Sequence, residues 1–245
     1  MRKLLFIVVV MIAVWSLNAE ENVMQKFMEF NQERTEESMI NAINYYHSQL
    51  ELDPENYQIP LLLSYIHYLE LNKYIMFLHD NIDSLALGTK FQFANLLLSL
   101  NQYEQSIEIY SIINDDAPQW SCPWRHKGEA YFYADNLKEA EIALRNAIET
   151  RIEHYDAYVW LALVQKKMER YTDALETLKI GLSYYGKDIE DPDVELDSLD
   201  VKFLLLELYE KNQRIEEYET IRQELLQKAP GDPRWEGVKE LGAIH

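Results

Sequence analysis

Small and large apolar residues return along the middle of this chain at a fixed interval. Three successive stretches, Leu87–Trp120, Ser121–His154 and Tyr155–Asp188, align without a gap at a period of 34 residues. A small residue stands at Ala94, Gly128 and Ala162, and a second one at Ser106, Ala140 and Ala174. Between them a large residue recurs as Tyr103, Leu137 and Tyr171, and another follows at Tyr110, Leu144 and Leu178. Helices that touch closely need small side chains where their backbones approach and large apolar ones on either side, so the alternation predicts a stack of paired helices.

These residues resemble the tetratricopeptide-repeat (TPR) family, and the middle stretch fits its pattern best through Trp124, Gly128, Tyr131, Ala140, Leu144 and Ala147. The resemblance implies an all-α fold, a TPR-type α-solenoid of antiparallel helical hairpins, that binds other proteins. It covers residues 87–188 closely as three regular repeats, and residues 20–86 and 199–245 loosely. Upstream, Ser38–Leu52 reads as the second helix of a pair whose first helix lies around Val23–Phe30. Tyr57–Leu87 has Tyr65 at the site of close approach and reads as a degenerate helical hairpin. Downstream, Leu199–Asp232 returns to the pattern, with Leu206 and Tyr218 in place of small residues, and Asp232-Pro233 predicts a capping helix through Leu241. Trp235, Val238 and Leu241 are then spaced to cover the end of the stack.

The first 19 residues change the picture of where the chain works. Met1-Arg2-Lys3, the apolar run Leu4–Trp15 and Ser16–Ala19 have the three regions of a secretory signal peptide. Cleavage after Ala19 is expected, with retention as an anchor the alternative because Leu17 stands where a small residue is usual. No Cys precedes that point, which excludes a lipid-modified bacterial N-terminus, and no Asn-X-Ser/Thr acceptor occurs. The expected location is periplasmic or secreted. Once cleaved, the chain is expected to have no membrane span.

Charge then narrows the partners. The full sequence has 23 basic and 42 acidic residues, a net charge of −19. So acidic a surface repels phosphate backbones, which argues against nucleic acid as a ligand. It favours solubility and, at its sharpest, basic partners. The single Cys122 cannot form an internal disulfide.

Candidate chemistry is sparse. Residues 189–198 form an acidic inserted loop with alternate carboxylates at Asp191, Asp193, Glu195 and Asp197. Leu196 and Lys202, however, occupy the positions where a calcium loop needs Gly and Glu. Cys122 and His126, four apart, could supply half of a zinc site, but no second pair accompanies them. They read as an edge thiol and a surface imidazole. No nucleotide-binding, zinc-protease or nucleophile-elbow signature is present, so no catalytic residue, metal or cofactor is expected.

What remains is a binding surface. In the family that the chain resembles, the first helix of each repeat lines a concave face. Carried over by register, this face comprises Phe91, Asn95, Leu98 and Ser99, then Arg125, Glu129, Phe132 and Tyr133, then Val159, Leu163, Lys166 and Lys167. Their spacing of three, four or seven residues makes each set one stripe. Apolar groups accompanied by Arg125, Lys166 and Lys167 suit a peptide carrying a carboxylate. The expected function is that of a non-catalytic adaptor or assembly factor of the bacterial envelope that binds a protein or peptide segment. The alternative is a glycan- or cell-wall-binding module stacking sugars on Phe91, Phe132 and Tyr133. The sequence fixes neither the partner's identity nor an oligomeric state.

Overall fold

Several apolar-periodic segments close into helices that stop beside a short polar pair such as Asn101-Gln102 or Asp135-Asn136. The structure, a computed structural model, describes residues 22–185 and 198–238. The signal segment, the alternate carboxylates of the acidic insertion and Leu241 lie outside the described residues. Among those described there are eleven α-helices and no strand. They are α1 (22–33), α2 (Glu36–Leu52), α3 (Gln58–Asp80), α4 (Leu87–Ser99), α5 (Tyr103–Asp116), α6 (Ser121–Tyr133), α7 (Leu137–Thr150), α8 (Tyr155–Lys167), α9 (Tyr171–Leu182), α10 (Ser198–Lys211) and α11 (Ile215–Lys228). The described residues form two compact units that divide between Asp83 and Ser84.

In the first unit Val23, Phe30, Ala42, Tyr46, Ile59 and Ile66 make the core. The Tyr46 hydroxyl, fully buried, donates to the Val23 carbonyl at 2.9 Å and ties α2 to α1. Thr35 starts α2 with a reciprocal capping box, its Oγ1 accepting from the Ser38 amide at 3.1 Å while Ser38 Oγ accepts from the Thr35 amide at 3.1 Å. The stretch expected to be a helical hairpin is instead one helix of 23 residues, α3, followed by a single 3₁₀ turn, Ile82–Ser84. A hairpin needs a turn, and Tyr65–Leu78 contains neither Gly nor Pro to make one; Pro60 sits in the first turn, where the missing N–H is harmless.

The second unit holds four helix pairs, α4/α5 to α10/α11. Close approach is visible at Gly128, where an added Cβ would lie 2.5 Å from Leu144 Cγ and 3.3 Å from the Ala140 carbonyl oxygen. Gly181 faces Tyr158 Cβ at 2.5 Å in the same way. Ala94, Ser106, Ala140, Ala162 and Ala174 are fully buried, and Ser106 Oγ donates to the Ala94 carbonyl at 3.0 Å, so even the polar small residue is satisfied. Every pair turns through one left-handed residue: Asn101, Asp135, Glu169 and Gln213, with φ of 59°, 62°, 62° and 57°. In each, the next amide reaches back to the helix, as Gln102 N to Leu97 O, Asn136 N to Tyr131 O, Arg170 N to Gln165 O and Arg214 N to Tyr209 O, all at 2.9 Å. This is a Schellman closure repeated four times.

The fourth pair keeps the spacing of the others although Leu206 and Tyr218 replace small residues. Both are buried in a core with Leu178, Val201 and Leu225. Pro233–Gly237 is a 3₁₀ turn where an α-helix was expected; the Asp232 carboxylate accepts from the Arg234 amide at 2.9 Å, and the Trp235 indole donates back to Ala229 O at 2.8 Å. Trp235 and Val238 pack against that core.

Candidate functional site

The first helices of the second unit are neighbours, α4 beside α6 and α6 beside α8. A side chain near the start of one therefore points into the seam with the next, whereas one near its end faces outward. Phe91 is partly buried, and Arg125, Val159 and Phe203 at the same register are 1%, 1% and 9% exposed. Four residues on, Asn95, Leu163 and Glu207 are half-buried and Glu129 is buried. Four further, Ser99, Tyr133, Lys167 and Lys211 are exposed. The face opens only over the C-terminal halves of these helices.

Several expected site residues are accordingly not surface groups. Arg125, expected as an exposed cation, is buried, with Nη1 2.8 Å from Glu129 Oε2 and 3.1 Å from His126 Nδ1. Burial pushes the Glu129 carboxyl up, and Arg125 pulls it back only in part. Val159 belongs to the core. Phe91 packs on Trp120 (centroids 4.8 Å apart) and His126 (5.3 Å) and so bridges two repeats. His126 is no surface imidazole: it is buried and stacks on Tyr110. Phe132 lies under the Lys167 ammonium at 4.8 Å. Of the three aromatics expected to stack on sugars, only Tyr133 is half exposed.

Among the described residues, this face carries two recesses of similar size. One, of about 390 Å³, is lined by Asn95, Leu98, Ser99, His126, Glu129 and Tyr133 together with the turn residues Asn101 and Tyr103. Asn95 accepts from the Tyr110 hydroxyl, and Tyr133 stacks on Tyr103 at 5.6 Å. The other, of about 410 Å³, lies at the third and fourth pairs and brings Leu163 and Lys166 together with Asp200, Phe203, Glu207, Glu210 and Arg234. The α10 residues were not among those expected, although they occupy the repeat register carried one repeat further. Arg234 had no such signal, since only the 3₁₀ turn brings it there.

Two cations of the face are engaged in ion pairs. Lys166 Nζ is 2.7 Å from Glu207 and Lys167 Nζ 2.7 Å from Asp135. Of the three cations expected to meet a carboxylate ligand, Arg125 is buried, and Lys166 and Lys167 each already face a carboxylate.

A scan against protein-family models finds no match, nor does a search of the curated proteins. In structure the chain is similar to pilF of Pseudomonas aeruginosa, with 14% identity over 90% of this chain and 96% of that one and a TM-score of 0.55. It is also similar to YrrB, described as a TPR protein with an unusual peptide-binding site, with 19% identity over 63% of this chain and 73% of that one and a TM-score of 0.51. At such identities the likeness is one of fold.

Proposed function

From the premise that this chain has the tetratricopeptide-repeat fold, we propose that it is a non-catalytic adaptor or assembly factor of the bacterial envelope that holds a protein segment on its first-helix face. The observation that carries this reading is the recess at Asn95, Leu98, Ser99 and Tyr133, where apolar, amide and hydroxyl groups converge on exposed helix ends. Such a mixture suits an extended or helical segment, with side chains entering the recess and polar groups fixing its register. The peptide-binding site named for YrrB supports the reading by likeness of fold alone.

Export is part of the proposal. A periplasmic fraction should contain a species whose intact mass corresponds to a chain starting at Glu20; a full-length mass in the membrane fraction would instead mean an anchored protein. Binding is tested by capture of envelope proteins with the mature chain and with the double variant Ser99→Arg/Tyr133→Asp. Tyr133 also packs on Tyr103 and Trp160, so circular dichroism first verifies that the variant is folded, and capture of the native partner should then fall about tenfold or more. Charge reversal of Lys138 and Lys179, exposed on the second helices α7 and α9, should leave capture intact. Equal capture by the wild type and the Ser99/Tyr133 variant would sink the first-helix reading.

A further inference from the structure

The recess at α8, α10 and the 3₁₀ turn has an apolar floor and a charged rim. Leu163, Phe203, Leu204 and Val238 supply the floor. Its volume of about 410 Å³ falls within the range of roughly 300–1,000 Å³ common for preformed binding sites. Both cations on the rim are already held. Lys166 is paired with Glu207. Arg234 directs Nε and Nη2 at Asp232 at 2.8 and 2.6 Å, directs Nη1 at Asp200, and lies over the Phe203 ring at 4.2 Å.

The acidic side of the rim is not balanced in the same way. Glu210 is half-buried and has no ion pair among the described residues. Each of Asp200 and Glu207 bonds a cation through a single oxygen. An entering carboxylate would meet three carboxylates and two cations whose charge is taken up. An entering ammonium or guanidinium would meet Glu210, which pairs with no cation among the described residues, with the field of a chain carrying −19 behind it.

We propose that this recess binds a partner segment in which an apolar side chain, seated on the Phe203–Leu163 floor, is flanked by lysine or arginine received at Glu210. This rests on the reading of the first-helix face as a surface for protein segments, and it reverses the carboxylate-bearing peptide expected from the sequence.

The probes are three fluorescein-labelled peptides of equal length, each with two central leucines flanked by lysines, by serines or by glutamates, titrated into the mature chain and followed by anisotropy. The lysine peptide should bind about tenfold more tightly than the glutamate peptide, and salt should weaken it. Glu210→Lys, on a half-buried rim position and checked for folding by circular dichroism, should reverse that order and leave the serine peptide unchanged. The Ser99→Arg/Tyr133→Asp variant should bind the lysine peptide like the wild type. The inference is overturned if the glutamate peptide binds as well as the lysine peptide, if Glu210→Lys leaves the order unchanged, or if the Ser99/Tyr133 variant abolishes binding. It is also overturned if no peptide binds, and capture of the native partner that is lost in the Ser99/Tyr133 variant would then show that the broader reading survives without it.

Discussion

The two units are built from the same kind of helix and secured in different ways. In the second unit the four inter-helix turns share one geometry although their left-handed residues are Asn101, Asp135, Glu169 and Gln213. None is Gly, and a left-handed conformation costs an ordinary residue about 1–2 kcal/mol. Packing at small contacts such as Gly128–Leu144 imposes the turn on whatever residue stands there. In the first unit the turn at Arg34 leads into a side-chain capping box, and α3 leaves Leu61, Tyr68, Met76 and Phe77 each more than half exposed. One unit is set by repeated contacts, the other by single local devices and a helix covered on one side.

The comparison can be broken most forcefully at Arg125. Removing one member of a buried ion pair costs about 3–5 kcal/mol, so Arg125→Ala should lower the urea midpoint sharply. The double change Arg125→Met/Glu129→Leu should recover most of the loss. A silent Arg125→Ala would put the side chain back on the surface and void the seam described above.

Truncation of core residues comes next. Leu144→Ala should cost about 2–5 kcal/mol, whereas Leu61→Ala on the open face of α3 should stay within about 0.5 kcal/mol. Denaturant titration of the two variants side by side compares the buried contact with the uncovered one.

Overpacking follows. Gly128→Leu should cost about 1–3 kcal/mol, visible as a lower Tm. Gly88→Ala, where an added Cβ meets nothing within 4 Å, should be neutral or slightly stabilising. Equal effects at the two glycines would mean that the close contact does not define the repeat.

Loss of the capping box by Thr35→Ala should cost about 1 kcal/mol and appear as faster hydrogen exchange at the start of α2, with the second unit unaffected.

The smallest effect is electrostatic. Burial raises the Glu141 carboxyl, but hydrogen bonds from Arg145 (2.6 Å) and Arg170 (2.7 Å) outweigh it and leave the group below its ordinary value. A depressed folded value stabilises above the unfolded carboxyl's pKa, and that contribution is lost as pH falls through the folded one. Arg170→Gln should therefore cost a few tenths of a kcal/mol at neutral pH, as for a partly exposed pair, and the gap to wild type should close in acid.

Much of the second unit could be read in advance because its information is periodic. Ala94, Gly128 and Ala162 each mark a close contact, and their agreement across three stretches outweighs any one position. The first unit offered no second copy against which to check Tyr65, so one long helix was read as a hairpin. Glu141, on α7, is reached by Arg170 from the next repeat, a contact that no local spacing announces. The expected site residues were misjudged in accessibility: Arg125 is buried against Glu129 and His126, and Val159 lies in the core, because accessibility depends on what packs opposite and not on the residue's own spacing.

By itself the sequence determined the period, the helix pairs from 87 to 182, the small residues at their crossings and the excess of acidic charge. Each is a local property or a sum over the chain, and needs no knowledge of what lies opposite. Only the tertiary structure decided which charges are free. Whether Arg125, Lys166 or Arg234 can greet a ligand depends on Glu129, Glu207 and Asp200, which packing brings within hydrogen-bonding distance. An ionic group has the charge its residue type dictates and the availability that its neighbours leave it.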